Sequence, residues 1–149
     1  MADVTVTCAQ LIKSTPAEIY LAFVEPSRLT RFWLEHASAP LSVGTPVEWR
    51  FLVPGARELT TATALEPGTR IEFDWSNGLH VAIAIDAAAD GDCVVEIAAS
   101  GFKEDPVHAA ANAIEGFTIV LCDLKVLLET GRSPRLVADK ARLIARPGS

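Results

Sequence analysis

The sequence has few of the residues that usually carry catalysis or metal binding. It holds three cysteines, three histidines and one methionine among 149 residues. Cys8, Cys93 and Cys122 lie far apart in no paired spacing, and no histidine stands at metal-ligand spacing from another histidine or a cysteine. Reduced thiols packed in the interior are therefore expected. Neither a metal site nor a cofactor is predicted, because metal sites need clustered ligands.

Other absences exclude further classes of protein. No apolar run approaches the roughly 18 residues of a membrane span. The N-terminal stretch MADVTVTCAQ lacks the basic region and apolar core of a signal peptide, so a cytoplasmic location is predicted. The net charge of −6 argues against nucleic acid as a partner. Glycine-rich phosphate loops and G-x-S-x-G nucleophile motifs are also missing.

The longest periodic stretch, residues 107–130, predicts one long helix. Its large apolar side chains recur at alternating steps of three and four and so share one face: Ile114, Phe117, Leu121, Leu124 and Leu128. Asp105 and Pro106 suit the N-cap and first helical positions, and Gly131 suits a left-handed C-cap. Gly116 inside the helix costs about 1 kcal/mol relative to Ala, which favours a reason such as an adjacent strand or cavity wall.

The N-terminal part of the chain predicts one strand and two short helices. Residues 3–12 alternate apolar and polar side chains, which predicts a strand with one buried face. Thr15 and Glu18 form a capping box around Pro16, which predicts a first helix, and a second short helix is predicted over residues 27–33.

Residues 41–102 alternate with a period of two and predict five or six strands. Asn77-Gly78 and Asp90-Gly91 are hairpin signals, and strands joined by hairpins form an antiparallel sheet. Together the elements predict an α+β domain, in which a curved antiparallel sheet grips the long C-terminal helix and two short helices follow the first strand.

No residue set indicates catalysis strongly. Glu72 and Asp74 share a strand face and could form an acid/base pair, but they alternate with Phe73, so we expect them to face water. His80 is expected to point out of the sheet for the same reason. Cys122, inside the long helix, is interpreted as a packed thiol, because reactive thiols sit in exposed, electropositive places.

Ordered motifs along the chain resemble the START-like (SRPBCC) superfamily, whose helix-grip fold is that of the birch-pollen allergen. Within it the chain looks like the homologues of the activator of the heat-shock-protein ATPase. The resemblance covers residues 4–131 and is carried by STPAEIY (14–20), Trp33, Val43-Gly44, IEFDW (71–75), SGF (100–102), EGF (115–117), Leu121, Leu124, Leu128, Glu129 and Gly131. Phe117 stands where the family commonly has Trp.

In this superfamily the sheet and the long helix enclose an apolar cavity. With that architecture, the apolar side chains at the inward-facing, alternate positions of the strands predict a binding site for a small hydrophobic molecule, with Trp33 near its mouth. The predicted ligand-binding residues are Trp33, Trp49, Phe51, Phe73, Trp75, Val81, Ile83, Phe117 and Leu121. Simple core packing is the competing interpretation of the three tryptophans.

The resemblance leaves the function open, because this fold serves several. The preferred hypothesis is a non-catalytic binding protein for a hydrophobic ligand. The alternatives are a protein-interaction module of the co-chaperone type and, third, a polyketide-cyclase-like enzyme. An enzyme would need convergent polar groups inside the cavity, and the inward strand positions are almost all apolar.

Residues 132–149 are a C-terminal extension to a helix-grip domain predicted over residues 1–131. The extension carries a net charge of +4, which leaves −10 on the rest of the chain. Ser133-Pro134 is a helix start, and the following apolar residues predict a short amphipathic helix of roughly 11 residues. Such a helix needs a docking surface. That surface is its own domain or a second copy of the chain, so a homodimer is possible. A membrane surface is the third alternative, which four apolar and a few basic residues would anchor only weakly.

Overall fold

The computed structural model describes residues 4–147. The elements follow in the order β1 (Thr5–Ile12), α1 (Pro16–Val24), α2 (Pro26–Leu29), β2 (Leu34–Ala37), β3 (Val47–Phe51), β4 (Arg57–Glu66), β5 (Arg70–Trp75), β6 (His80–Ala87), β7 (Cys93–Ser100), α3 (Pro106–Thr130) and α4 (Leu136–Ala145). The strands form one sheet of seven in the order β1-β7-β6-β5-β4-β3-β2, and every neighbouring pair is antiparallel. The predicted fold class, a curved antiparallel sheet with a long C-terminal helix, is confirmed.

The sheet is apolar on one face, and α3 lies against that face. Ile71, Phe73, Val81 and Ile83 are fully buried there, and Leu121 and Leu124 of α3 are buried opposite them. This alternation of buried and open positions along β5, β6 and β7 is the two-residue period read from the sequence.

The ends of the helices agree with the sequence in part. Thr15 caps α1 by accepting the Glu18 N–H at 3.2 Å, and Gly131 ends α3 with a φ of 84°. Asp105 occupies the N-cap position of α3, but it is left-handed and its side chain makes no capping hydrogen bond, so that part of the prediction is wrong.

Three other sequence predictions also need correction. The second helix is shorter than predicted, because α2 ends at Leu29 and turns replace its last residues. The short strand β2 was not predicted, since four residues with only two buried positions give no clear period. Ile114 is 39% exposed, so it is not buried against the sheet as predicted.

The edge strand β1 is protected by polar side chains of α3. Lys125 Nζ donates to the Leu11 carbonyl at 2.7 Å, and Glu129 accepts the Lys13 N–H at 2.9 Å. Lys125 and Glu129 also pair with each other at 2.8 Å. These bonds occupy backbone groups through which an open edge could join another strand. Within residues 4–147, no helix combines the length and hydropathy needed to cross a membrane.

The outer face of the sheet carries a charged cluster centred on His80. Its Nδ1 lies 2.6 Å from Asp74 Oδ1 and its Nε2 lies 2.9 Å from Glu72 Oε1, while Arg70 binds the other oxygen of Glu72. Partial burial disfavours the charged ring, but the bonds to Asp74 and Glu72 outweigh it and raise the pKa of His80. As predicted, these side chains point away from the apolar face, so the cluster is an ion-pair network on the solvent side.

The packing of α3 against the sheet can be tested with Leu121→Ala. Leu121 is fully buried, so its truncation should lower the free energy of unfolding by about 2–5 kcal/mol. Ile114→Ala on the same helix is the control and should cost no more than about 1 kcal/mol, because Ile114 is 39% exposed whereas Leu121 is fully buried. Urea denaturation of both variants measures the difference, and equal losses would contradict this placement of α3.

The His80 cluster predicts a pH-dependent contribution to stability. Because folding raises the pKa of His80, its contribution is complete below the pKa of an unfolded histidine and is lost as pH rises through the folded value. His80→Gln should therefore destabilise the protein more at pH 5.5 than at pH 8.5 in urea denaturation. His36→Gln, an exposed histidine of β2, is the control. The same loss for His80→Gln at both pH values would contradict the prediction.

Candidate functional site

A cavity of about 340 Å³ opens between α3, α4 and one end of the sheet. That end is where β3 joins β4 and β5 joins β6. Its size falls in the range of small-molecule sites, roughly 300–1,000 Å³. Apolar side chains dominate its lining, which consists of Trp33, Phe51, Leu52, Val53, Ala56, Glu58, Trp75, Asn77, Leu79, Ala113, Gly116, Phe117, Ile119, Val120, Val137, Lys140, Ala141 and Ile144.

Four aromatic side chains form the most specific part of the lining. The rings of Trp75 and Phe117 stack, with centroids 5.9 Å apart and planes at 16°. Trp33 meets both rings edge-on, and Phe51 meets Trp75 at 87° with centroids 5.5 Å apart. These contacts fix the rings in the stacked and edge-to-face arrangements that aromatic pairs prefer. The wall is therefore preformed, and a flat apolar group could pack against it.

Gly116 provides open space beside this aromatic wall. It lines the cavity, and a Cβ built on it meets no atom within 4 Å. No close backbone contact therefore requires glycine at this position. The Gly in the helix costs stability and leaves room at the cavity, which agrees with one of the two reasons that the sequence suggested.

The nine predicted site residues divide into two groups. Trp33, Phe51, Trp75 and Phe117 line the cavity. The other five lie in the packed core behind the lining, each no more than 1% exposed: Trp49, Phe73, Val81, Ile83 and Leu121. Alternation along a strand identifies which face a residue is on, but it does not tell how far along the sheet a cavity extends. A ligand-binding role for any of the nine remains a prediction.

Seven of the 18 lining residues come from two segments that sequence reasoning did not assign to the site. Leu52, Val53 and Ala56 belong to the loop between β3 and β4, which has no periodicity to interpret. Val137, Lys140, Ala141 and Ile144 belong to α4. The amphipathic pattern of the C-terminal extension was the available signal, but it indicates only that the helix docks, not where.

The helix α4 docks on its own domain through a buried carboxylate of α3. Asp123 is 1% exposed, and its Oδ1 accepts the Ser133 hydroxyl at 2.7 Å. Its Oδ2 accepts the Val137 N–H at 3.2 Å, which is one of the unpaired donors in the first turn of α4. The helix begins at Leu136 rather than at the predicted Ser133-Pro134. Its cap is Asp123, a residue of α3, because its own N-cap residue makes no side-chain capping bond.

Three polar residues lie in the otherwise apolar lining. Glu58 Oε1 accepts both the Ser76 hydroxyl at 2.7 Å and the Asn77 N–H at 3.0 Å. Lys140 Nζ pairs with Glu115 Oε1 at 2.8 Å. Among the residues that the structure describes in this lining there is no cysteine, histidine or serine. The ionisable side chains of the described lining are therefore Glu58 and Lys140.

Three buried polar atoms near this wall have no hydrogen-bond partner within residues 4–147: Trp49 Nε1, Thr60 Oγ1 and Trp75 Nε1. Thr60 is paired with Trp75 across β4 and β5, and the Trp49 and Trp75 rings are 6.4 Å apart. An unmade buried hydrogen bond costs about 1–3 kcal/mol.

Potential metal ligands and thiols do not gather at the cavity. In the described part of the chain, no group of three His, Cys, Asp or Glu residues is placed to hold a metal ion. Cys93 is buried and Cys8 and Cys122 are partly buried, so the expectation of interior thiols holds fully for Cys93. Burial raises the pKa of Cys8 and of Cys93, which disfavours their reactive thiolate forms.

Solved structures of several proteins share this fold. A protein of Staphylococcus saprophyticus matches with a TM-score of 0.78 at 22% identity, over 89% of this chain and 96% of the other. The Aha1 dimer of Colwellia psychrerythraea matches with a TM-score of 0.78 at 21% sequence identity, over 87% of this chain and 99% of the other. DynU16, a putative protein of the dynemicin biosynthetic locus, matches with a TM-score of 0.78 at 22% sequence identity, over 88% of this chain and 49% of the other. At these identities the likeness shows the fold alone.

Sequence comparison gives the family. No curated protein sequence matches this chain. A family model described as "Activator of Hsp90 ATPase homolog 1-like protein" matches residues 13–129, which run from the end of β1 almost to the end of α3. The helix α4 lies beyond the matched residues. With most of its length covered by that model, the chain belongs to the Activator of Hsp90 ATPase homolog 1-like family.

Proposed function

We propose that the chain binds a small hydrophobic molecule in the cavity between α3, α4 and the end of the sheet. The observation that carries the proposal is an open apolar cavity whose aromatic wall is preformed. A preformed wall limits the ordering cost of binding, so most of the burial of an apolar ligand contributes to affinity. Burial of an aromatic body against this wall supplies about 25 cal/mol per Å² of apolar surface removed from water.

The geometry favours binding over the two alternatives. A polyketide-cyclase-like reaction needs acid or base groups aimed at the substrate, and the carboxylate of the lining, Glu58, is already bonded to Ser76 and Asn77. A co-chaperone role needs a docking patch, for which the outer face of the sheet was the expected place. On that face the charges of Arg70, Glu72 and His80 bind one another.

Filling the cavity from Gly116 tests the proposal. The neutral fluorescent probe N-phenyl-1-naphthylamine should bind the wild type with enhanced emission. Gly116→Phe should weaken that binding at least about tenfold, because the new ring would occupy the open space beside Phe117. The variant should remain as stable as the wild type, since it removes a helix glycine.

The control for this experiment is Ala111→Phe, an exposed position of the same helix outside the lining. It adds the same side chain and should leave probe affinity unchanged. If the wild type does not bind the probe, or if both variants bind like the wild type, the cavity is not the ligand site.

A second copy of the chain is the second candidate partner. The helix α4 leaves Leu136 38% exposed and Ile144 52% exposed, although it is docked on its own domain. The Colwellia relative is described as a dimer. Apolar side chains exposed on a docked helix could pair across a two-fold axis.

Light scattering at increasing protein concentration tests this pairing. The wild type should approach the mass of two chains, and Leu136→Glu should remain at the mass of one, because it places a charge in the contact. A single-chain mass for the wild type throughout the micromolar range would exclude the dimer, and would leave ligand binding unaffected.

A further inference from the structure

The cavity lining contains one cation among the described residues, Lys140, and it comes from α4. This helix lies beyond residues 13–129, the part of the chain that the family model matches. The positive charge of the lining is thus supplied by a segment outside the residues that the family model matches. A residue in this place can give this chain a ligand preference that the matched residues do not determine.

The side chain of Lys140 is held in a defined place. The buried Asp123 binds both Ser133 and Val137, so the first turn of α4 is fixed to α3. Lys140 follows one turn later, and Ala141 beside it is 6% exposed. Lys140 therefore lines the cavity from a docked helix, and its side chain is 30% exposed.

Lys140 has unused capacity to bind an anion. An ammonium has three N–H donors, and the pair with Glu115 at 2.8 Å accounts for one of them. Glu115 is 56% exposed, so it holds Lys140 through a pair of the weak, water-screened kind. A ligand carboxylate could share or replace that partner. Glu58, the lining's carboxylate, is bonded to Ser76 and Asn77 through Oε1, so a cationic ligand is the alternative that the experiment must also test.

We propose that Lys140 makes this cavity selective for aromatic acids: a flat apolar body packs against Trp75 and Phe117, and a carboxylate pairs with the Lys140 ammonium. The inference rests on the proposed function, because it assumes that the apolar body binds in this cavity. It adds the chemical class of the ligand and the residue that selects it. The pairing is a charge-assisted hydrogen bond at a partly desolvated site, where such bonds are stronger than in water.

The experiment compares three probes of the same shape and different charge. These are 2-naphthoate, the neutral 2-naphthamide and the cationic 2-naphthylmethylammonium, each titrated into the full-length protein by calorimetry at neutral pH. The wild type should bind the acid about five- to tenfold more tightly than the amide, and the ammonium most weakly. Lys140→Met keeps the apolar stem and should remove the preference for the acid while leaving the affinity for the amide unchanged.

Two further variants isolate the role of Lys140. Glu115→Gln removes the competing carboxylate and should tighten binding of the acid but not of the amide. Arg142→Met removes one positive charge from the same helix at a side chain that is 84% exposed and outside the lining, so it should leave all three affinities unchanged.

The possible failures are distinguishable. If the amide and the acid bind equally, or if Lys140→Met and Arg142→Met weaken the acid alike, the selectivity proposal is wrong and ligand binding stands. Tightest binding of the ammonium would assign selection to Glu58 and overturn the proposal. If no probe binds, the proposed function fails and the selectivity fails with it.

Discussion

The structure depends on the packing of one face of α3 against the apolar face of the sheet. Leu121 and Leu124 fill the centre of this contact and are fully buried. Nearer its N-terminus, Gly116 lines the cavity and leaves open space beside the helix. The cavity is a consequence of that arrangement: the same helix that closes the core at its centre leaves space at one end, where Trp33, Trp75 and Phe117 form a wall.

A second interaction links the core to the site. Asp123 is a buried carboxylate on α3, and a carboxylate in that position needs donors. The donors come from the start of α4, which lacks a cap of its own. The same bonds therefore satisfy Asp123, start α4 and bring Lys140 to the cavity. A positively charged extension on a negatively charged domain further favours this docking.

Sequence patterns predicted the fold well and the site only in part. The period of two, the hairpin signals and the Gly131 cap are local features, and each corresponds to an observed element. The tryptophans were assigned to the correct face, but depth along the sheet is a tertiary property, so Trp49 lies in the packed core while Trp75 lines the cavity. The position of α4 at the cavity could not be derived from the sequence. It depends on the bonds of Asp123 to the Ser133 hydroxyl and to the Val137 backbone N–H, and no local pattern indicates either bond.

The central claim is that ligands enter beside Gly116 and contact both α3 and α4. The most direct measurement is an NMR titration of the ¹⁵N-labelled protein with 2-naphthamide, following the backbone amides and the three indole N–H signals. We expect saturable shifts at Gly116, Ala141 and the indoles of Trp33 and Trp75, with His80 on the outer face unchanged. Shifts confined to the outer face of the sheet, or shifts at α3 with none at α4, would contradict it.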